Sequence, residues 1–299
     1  LGSIIYRLKH WLRDNSKSGS RKNIHAHYDL GNAFYSLWLD PTMSYSSAWF
    51  SEGDKQTLAD AQRAKIKRIL NSLHTKTGAH ILEIGCGWGG LAAYAAKNYG
   101  VEVLGITISQ EQQKLAQERC KNLPVKIELI DYRDLKGSFD KIVSVGMFEH
   151  VGVKNYRTYF QHASRLLKDQ GLFLLHTIGS DITVNRTDPW IDKYIFPNGQ
   201  IPSPIEITQN IDRLFLIEDW HNFGGDYDKT LMAWHQNFDK YWPDIAANYN
   251  ARFYRMWKYY LLSCAGYFRS RQGQLWQLVL SKRSRAQTYR SRRLTSITI

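Results

Sequence analysis

Five short apolar runs recur along the middle of the chain: His80–Ile84 (HILEI), Val101–Ile106 (VEVLGI), Val125–Ile130 (VKIELI), Phe139–Val145 (FDKIVSV) and Leu172–Ile178 (LFLLHTI). Each is too short for a buried helix and rich in β-branched or large apolar residues, so each is read as a strand. Stretches of helical period separate them, at about residues 90–98, 110–121 and 155–168. Another amphipathic helix, Lys55–His74, comes before the first run, with Leu58, Ala61, Ile69, Leu70 and Leu73 as its buried stripe. Strands alternating with helices of this length predict an α/β fold, a doubly wound parallel sheet covered on both faces. Leu214–Trp220 and Gln274–Leu280 bring the candidates to seven strands. No internal repeat is visible.

Two inserts interrupt the alternation. Residues 181–212 hold Pro189, Pro197, Pro202 and Pro204, four of the seven prolines, and are expected to form an irregular loop. Residues 228–271 are aromatic and helical in period (MAWHQNFDKYW, then ARFYRMWKYYLLSCAGYF). Both leave near the carboxyl ends of strands, where open α/β sheets bind ligands, and are expected to wall a substrate cavity as a lid. At the start, residues 3–13 place Ile4, Ile5, Leu8, Trp11 and Leu12 on one helical face and Arg7, Lys9 and Arg13 on the other. Such a helix suits a membrane surface or docking on its own domain, and residues 15–20 read as a joint after it.

Charge refines this picture. The net charge is +13, but residues 1–22 carry +5 and residues 281–299 carry +6, leaving about +2 for everything between. Basic ends attract anionic lipid or nucleic acid, or serve as solvated tails. With 43% hydrophobic residues among 299, the core is substantial, and no run approaches the ~18 apolar residues of a membrane-spanning helix. Cys86, Cys120 and Cys264 are too few and too scattered for a disulfide framework or a zinc site, so a reducing cytoplasm is expected. The chain opens at Leu1 with no signal-peptide pattern, and residues 1–22 are expected to be the tail of a further N-terminal domain. His25 and His27 have no matching third ligand, so capping or docking is preferred to a metal site.

The first strand runs into HILEIGCGWGGL. Gly85, Gly87 and Gly90 satisfy the dinucleotide pattern G-x-G-x-x-G, while Gly85, Gly87 and Gly89 satisfy the G-x-G-x-G loop of methyl-donor enzymes. A dinucleotide enzyme needs an acid at the end of the second strand to hold a ribose. Here that strand ends Gly105-Ile106-Thr107-Ile108-Ser109, with no carboxylate, so the NAD reading loses its second support. Glu83 fits the acid that opens the methyl-donor motif, Trp88 is expected to open the following helix, and Ile130–Asp134 lies where such folds pack against adenine.

The resemblance then becomes specific. HYDLGN (27–32), LDPTMSYSSAWF (39–50), LEIGCGWGG (82–90), GITISQEQ (105–112), VGMFEHVG (145–152), LLHTIGS (174–180), DPWIDKYIFPNG (188–199) and EDWHNFG (218–224) together resemble the cyclopropane-fatty-acyl-phospholipid synthases over about residues 23–282. The resemblance implies a class I S-adenosylmethionine methyltransferase, a Rossmann-like, seven-stranded, mostly parallel sheet with helical inserts forming a lipid cavity. Residues 23–282 are then the catalytic domain and 283–299 a basic tail. Family enzymes transfer the methyl of S-adenosylmethionine to a cis double bond of a phospholipid acyl chain, and the resulting carbocation loses a proton and closes to a ring.

For the donor, the resemblance assigns Tyr45, Ser46, Glu83, Gly85, Cys86, Gly87, Gly89, Thr107, Ile108, Ser109, Gln112, Tyr132 and Arg133. It places Glu149, His176, the Ile178 backbone and Tyr227 around a bicarbonate ion that accepts the proton. Relatives carry Tyr-Ser-Cys where this chain has Tyr45-Ser46-Ser47, so Ser47 is expected to donate in place of a thiol. Cys264 matches a family active-site cysteine, although a lone cysteine on an apolar helix face packs as a small hydrophobe and the chemistry needs no thiol. The implied partners are anionic membrane phospholipids with unsaturated chains, reached from the cytoplasm at the inner face of the membrane, and a second copy through the N-terminal domain. Neither nucleic acid nor metal is expected. Three rivals remain: an enzyme making methyl-branched chains, a nucleic-acid methyltransferase, and a non-catalytic lipid-binding module. The charge outside the catalytic segment opposes the second, and the intact glycine loop opposes the third.

Overall fold

The computed structural model describes Gly19 and residues 30–51, 55–184 and 187–292. The basic helix expected at 3–13, most of the joint that follows it, His25 and His27 lie outside the described residues. Helices α1 (Asn32–Trp38) and α2 (Leu58–Ser72) lead into β1 (His80–Ile84), α3 (Gly90–Tyr99), β2 (Glu102–Thr107), α4 (Gln110–Arg119), β3 (Val125–Leu129) and β4 (Phe139–Val145). The chain continues through α5 (Tyr156–Leu166), β5 (Leu167–Gly179), α6 (Pro189–Tyr194), α7 (Pro204–Ile211), β6 (Phe215–Asn222), α8 (Gly225–Ile245), α9 (Ala251–Arg269) and β7 (Gln274–Lys282).

The seven strands form one sheet in the order β3-β2-β1-β4-β5-β7-β6. The first five pair in parallel, and β7 runs antiparallel between β5 and β6. Parallel strands need crossover helices on the sheet faces, which explains the near-continuous apolar runs read from the sequence. One face packs on α5 through Tyr159, Phe160 and Phe173. The other packs on α2 and α3 through Ile66, Ile69, Leu70 and Ala95. A third cluster joins α1, α8 and α9 above the carboxyl ends of the strands. There Trp38, Trp234 and Trp257 are fully buried.

Two expectations are corrected. The segment 181–212 is not simply irregular, because two of its prolines open helices. Pro189 follows the Asp188 cap of α6, and Pro204 follows Ser203, whose hydroxyl and Glu206 form a reciprocal capping box. Proline suits a first helical position, since its missing N–H has no partner there anyway. Trp88 lies outside α3, which starts at Gly90 behind the Gly89 cap. Its indole N–H instead donates to Asn32 Oδ1 at 2.7 Å, tying α1 to the glycine loop. Residues 283–292, the described part of the basic tail, carry one anchored aromatic. Tyr289 is buried, stacks on His74 at 4.9 Å and donates to the Ser72 carbonyl at 3.0 Å.

Candidate active site

Where β1, β2, β3 and β4 end, the chain leaves a cleft of about 1200 Å³, counting its open mouth. Its floor is the loop from Glu83 to Leu91. Gly85 and Cys86 both donate to the Ile106 carbonyl at 3.0 Å, which folds the loop back over β2. Gly89 holds φ at 78°, a left-handed turn into α3. Gly90 is required for a different reason. A β-carbon there would collide with the carbonyl of Thr42, which crosses directly over the helix start. The final glycine of G-x-G-x-x-G is therefore explained by a crossing chain segment, not by a dinucleotide.

That segment, residues 42–46, forms one wall and is held from two sides. Asp40 accepts from Thr42 and Ser44 backbone N–H groups at 2.9 and 3.1 Å. From α2, Gln62 donates to the Ser46 carbonyl at 2.9 Å, and Lys65 donates to Ser46 Oγ at 2.7 Å. Lys65 is a site residue that the motifs miss. Its helical phase, midway between Ala61 and Ile69 on the buried stripe, is the available signal. Lys65 and Glu83 both line the cleft and are buried. Burial pulls the Lys65 ammonium down to about 7, against the attraction of Asp40 and Glu83. Burial pushes the Glu83 carboxyl up to about 8, against Lys65, and its Oε2 has no partner.

At the opposite end, Tyr132 and Arg133 follow β3. Arg133 closes a two-pronged pair onto Asp131 at 2.8 and 2.7 Å, and Tyr132 packs edge-on to Tyr159 at 5.3 Å. Between the ends, Thr107 donates to Gln112 Oε1 at 2.9 Å. The expected donor residues Tyr45, Ser46, Glu83, Gly85, Cys86, Gly87, Thr107, Ile108, Gln112, Tyr132 and Arg133 all line the cleft. Gly89 and Ser109 lie outside its lining and serve as caps of α3 and α4.

The second group sits beside this cleft at the ends of β4 and β5. Glu149 Oε1 accepts from the Ile178 backbone N–H at 2.7 Å, while Oε2 is buried with no partner. Burial pushes this carboxyl up to about 7, although the Ile178 hydrogen bond opposes the shift. His150, which lines the cleft, is pulled down to about 4 by burial and is a neutral imidazole.

His176 is fixed by a chain of donors. Arg68 Nε can only donate, and it meets Gln277 Oε1 at 3.0 Å. The Gln277 amide nitrogen therefore faces His176 Nδ1, at 3.2 Å, and Nδ1 must accept. Burial, reinforced by the charges of Lys65 and Arg68, holds the His176 pKa well below its ordinary value. The ring is neutral, so its one proton sits on Nε2, which is buried with no partner.

Ile178, Tyr227 and Cys264 pack on the same aromatic cluster as Tyr45. Tyr227 stacks on Phe268 at 4.5 Å, and the hydroxyls of Tyr45 and Tyr260 meet at 2.9 Å. Two expected ion donors are already engaged. The Ile178 N–H is given to Glu149, and the buried Ser47 hydroxyl is given to the Ala48 carbonyl at 2.9 Å. Burial pushes the Cys264 thiol up to about 12, which removes the thiolate a nucleophile requires at neutral pH.

This strand order, with its antiparallel penultimate strand and a glycine loop leaving β1, defines the S-adenosylmethionine methyltransferase fold. Comparison with known proteins narrows the class. The chain belongs to the mycolic acid cyclopropane synthetase family, whose profile matches residues 15–278. It is 59% identical over 256 residues to the cyclopropane-fatty-acyl-phospholipid synthase of Escherichia coli K12, covering 86% of this chain and 66% of that protein. It thus spans just under two thirds of that relative's length. Among solved structures, the cyclopropane synthase MmaA2 of Mycobacterium tuberculosis superposes with a TM-score of 0.83 at 30% identity, covering 88% of this chain and 98% of that one. The mycolic acid cyclopropane synthase CmaA1 complexed with SAH and CTAB gives 0.82 at 32% identity over the same shares.

Proposed function

We propose that this chain transfers a methylene group from S-adenosylmethionine to the cis double bond of unsaturated acyl chains in membrane phospholipids. The products are cyclopropane acyl chains and S-adenosylhomocysteine. The cleft suits the donor: Glu83 Oε2 is buried and unsatisfied beside it, and Gly90 keeps its floor clear for the crossing wall. The bound donor supplies an electrophilic methyl. An alkene needs no deprotonation before it attacks that carbon, so no activated nucleophile is required. The carbon–sulfur bond breaks as the new carbon–carbon bond forms, and the second alkene carbon becomes a cation. A proton then leaves the new methyl, and the C–H electron pair closes the ring. The protein must align the chain, exclude water and hold a base that acts second. Aromatic faces such as Tyr45 and Tyr260 stabilise a passing cation by ~0.5–2 kcal/mol each.

The observation that carries the reading is that two buried polar atoms by the end of β5 lack partners: Glu149 Oε2, whose sister oxygen holds the Ile178 N–H, and His176 Nε2, two residues earlier on that strand. Protonated Glu149 and Nε2-protonated His176 each offer a hydrogen to a small anion, and bicarbonate there takes the proton from the cation. A like-charged Glu149 would repel the ion, which agrees with its raised pKa. Anionic phospholipid at the inner face of a membrane is the proposed partner. Ile182, Ile205 and Tyr259 are each more than half exposed on the inserts, and the exposed Lys193 and Arg252 of the same inserts act on Tyr194. A second copy, met through a further N-terminal domain, belongs to the same proposal. The test is incubation with methyl-labelled donor and dioleoyl phosphatidylglycerol vesicles, followed by catalytic hydrogenation of the acyl chains. A ring and a methylene branch add the same mass but respond differently, so a labelled methylene branch would favour the methyl-branching enzyme instead.

A further inference from the structure

Helix α2 turns a polar ridge, Gln62, Lys65 and Arg68, toward the protein interior, and all three residues are buried. Burying a cation is costly unless its charge meets a partner. Arg68 serves the Gln277–His176 chain, and Gln62 grips the backbone of residue 46. Lys65 has no part in the chemistry so far described, yet it lines the donor cleft.

The cleft has two ends. Tyr132 and Arg133 mark one, at the edge of the sheet. Ser46, Lys65 and Glu83 mark the other, where the wall segment lies against the turn after β4, Ser46 being next to Gly146. A nucleoside stacked at the Tyr132 end sends its amino-acid tail to the Lys65 end. There the cleft presents one buried cation and one buried carboxyl with an unsatisfied oxygen. A cation near a carboxyl is complementary to a zwitterion: the ligand's ammonium, toward Glu83, favours the charged carboxylate that burial alone opposes, and its carboxylate lies toward Ser46. Ser46 Oγ accepts from Lys65, so its own proton is free to point into the cleft. A hydroxyl backed by an ammonium is a stronger donor than a hydroxyl alone.

Resting on the reading that this cleft holds S-adenosylmethionine, we propose that Lys65 is a positioning residue that orients and polarises the Ser46 hydroxyl to bind the carboxylate of the donor's amino-acid tail. Lys65 then acts on one part of the ligand only. Calorimetric titration with S-adenosylhomocysteine and with 5′-methylthioadenosine, which lacks the amino-acid tail, separates this from a packing role. In Lys65→Met, affinity for S-adenosylhomocysteine falls about tenfold to hundredfold, the range of one charge-assisted hydrogen bond. Affinity for 5′-methylthioadenosine stays within about twofold, which also reports that the site is folded. Ser46→Ala gives the same ligand split, and adding Lys65→Met to it costs little more, because the two residues act as one unit. Lys65→Arg, which can still donate to Ser46, recovers part of the loss. If Lys65→Met does not fold, the split in Ser46→Ala and the recovery in Lys65→Arg decide the matter. Equal losses for both ligands, or an unchanged affinity for S-adenosylhomocysteine, overturn the proposal. A parent protein that binds neither ligand overturns the donor reading itself.

Discussion

Replacing Glu149 by glutamine removes a titration without removing the side chain's shape. The amide oxygen still accepts from the Ile178 N–H, so the 2.7 Å bond survives. What disappears is the cost of ionising a buried carboxyl. That carboxyl shifts from an ordinary 4.5 to about 7 on folding, which at 1.36 kcal/mol per pH unit comes to about 3 kcal/mol. The sign follows from linkage. A raised folded pKa means the folded state holds its proton longer than the unfolded state does. The parent's stability from this group is intact below 4.5 and is lost as pH rises to about 7, remaining low above that. The amide in Glu149→Gln does not titrate. Between pH 5 and pH 8 the variant therefore gains about 2.5 kcal/mol on the parent, measured by urea unfolding followed by tryptophan fluorescence at each pH. A difference between the two proteins that is flat across this range refutes the argument, because it places an ordinary solvated carboxyl at Glu149.

Other expected outcomes concern single links of the account. Gln277→Glu offers only acceptors to His176 Nδ1, so the ring proton moves from Nε2 to Nδ1. ¹⁵N spectra of labelled histidine show the two ring nitrogens exchanging their shifts, and bicarbonate-dependent turnover falls at least about tenfold. Gly90→Ala pushes the Thr42 carbonyl off the start of α3, and S-adenosylhomocysteine affinity falls at least about tenfold by calorimetry while the far-ultraviolet circular dichroism is unchanged. Ile182→Asp with Tyr259→Asp removes apolar surface from the inserts, and co-sedimentation with dioleoyl phosphatidylglycerol vesicles weakens about tenfold or more while donor affinity is kept.

Each of the seven runs falls on its strand; β1, β4, β5 and β7 were legible because a strand covered on both faces is largely apolar, whereas the edge strands β3 and β6 are partly exposed and mix apolar with charged residues. What escaped was context. Pro189 and Pro204 look like breakers until an Asp188 or Ser203 cap makes them first-turn residues. Tyr289 is a single aromatic in a basic run, and nothing local shows that it docks beneath α2. Within the site, the glycine loop and Tyr132–Arg133 were readable as motifs because their spacing is local. The Arg68–Gln277–His176 chain joins residues far apart in sequence, on α2, β7 and β5, and no pattern in one sequence links them. Lys65 lies in plain view on an apolar stripe. A charged residue at a buried helical phase is a signal that periodicity alone can give.

The most direct measurement supplies S-adenosylmethionine carrying a trideuterated methyl to the protein with dioleoyl phosphatidylglycerol vesicles and follows the acyl chains by mass spectrometry and proton NMR. The account predicts an upfield signal from the two ring methine protons, a ring methylene carrying two deuterons with the third lost in each modified chain, and turnover that rises when bicarbonate is added to a depleted buffer. Retention of all three deuterons, or a rate indifferent to bicarbonate, contradicts it.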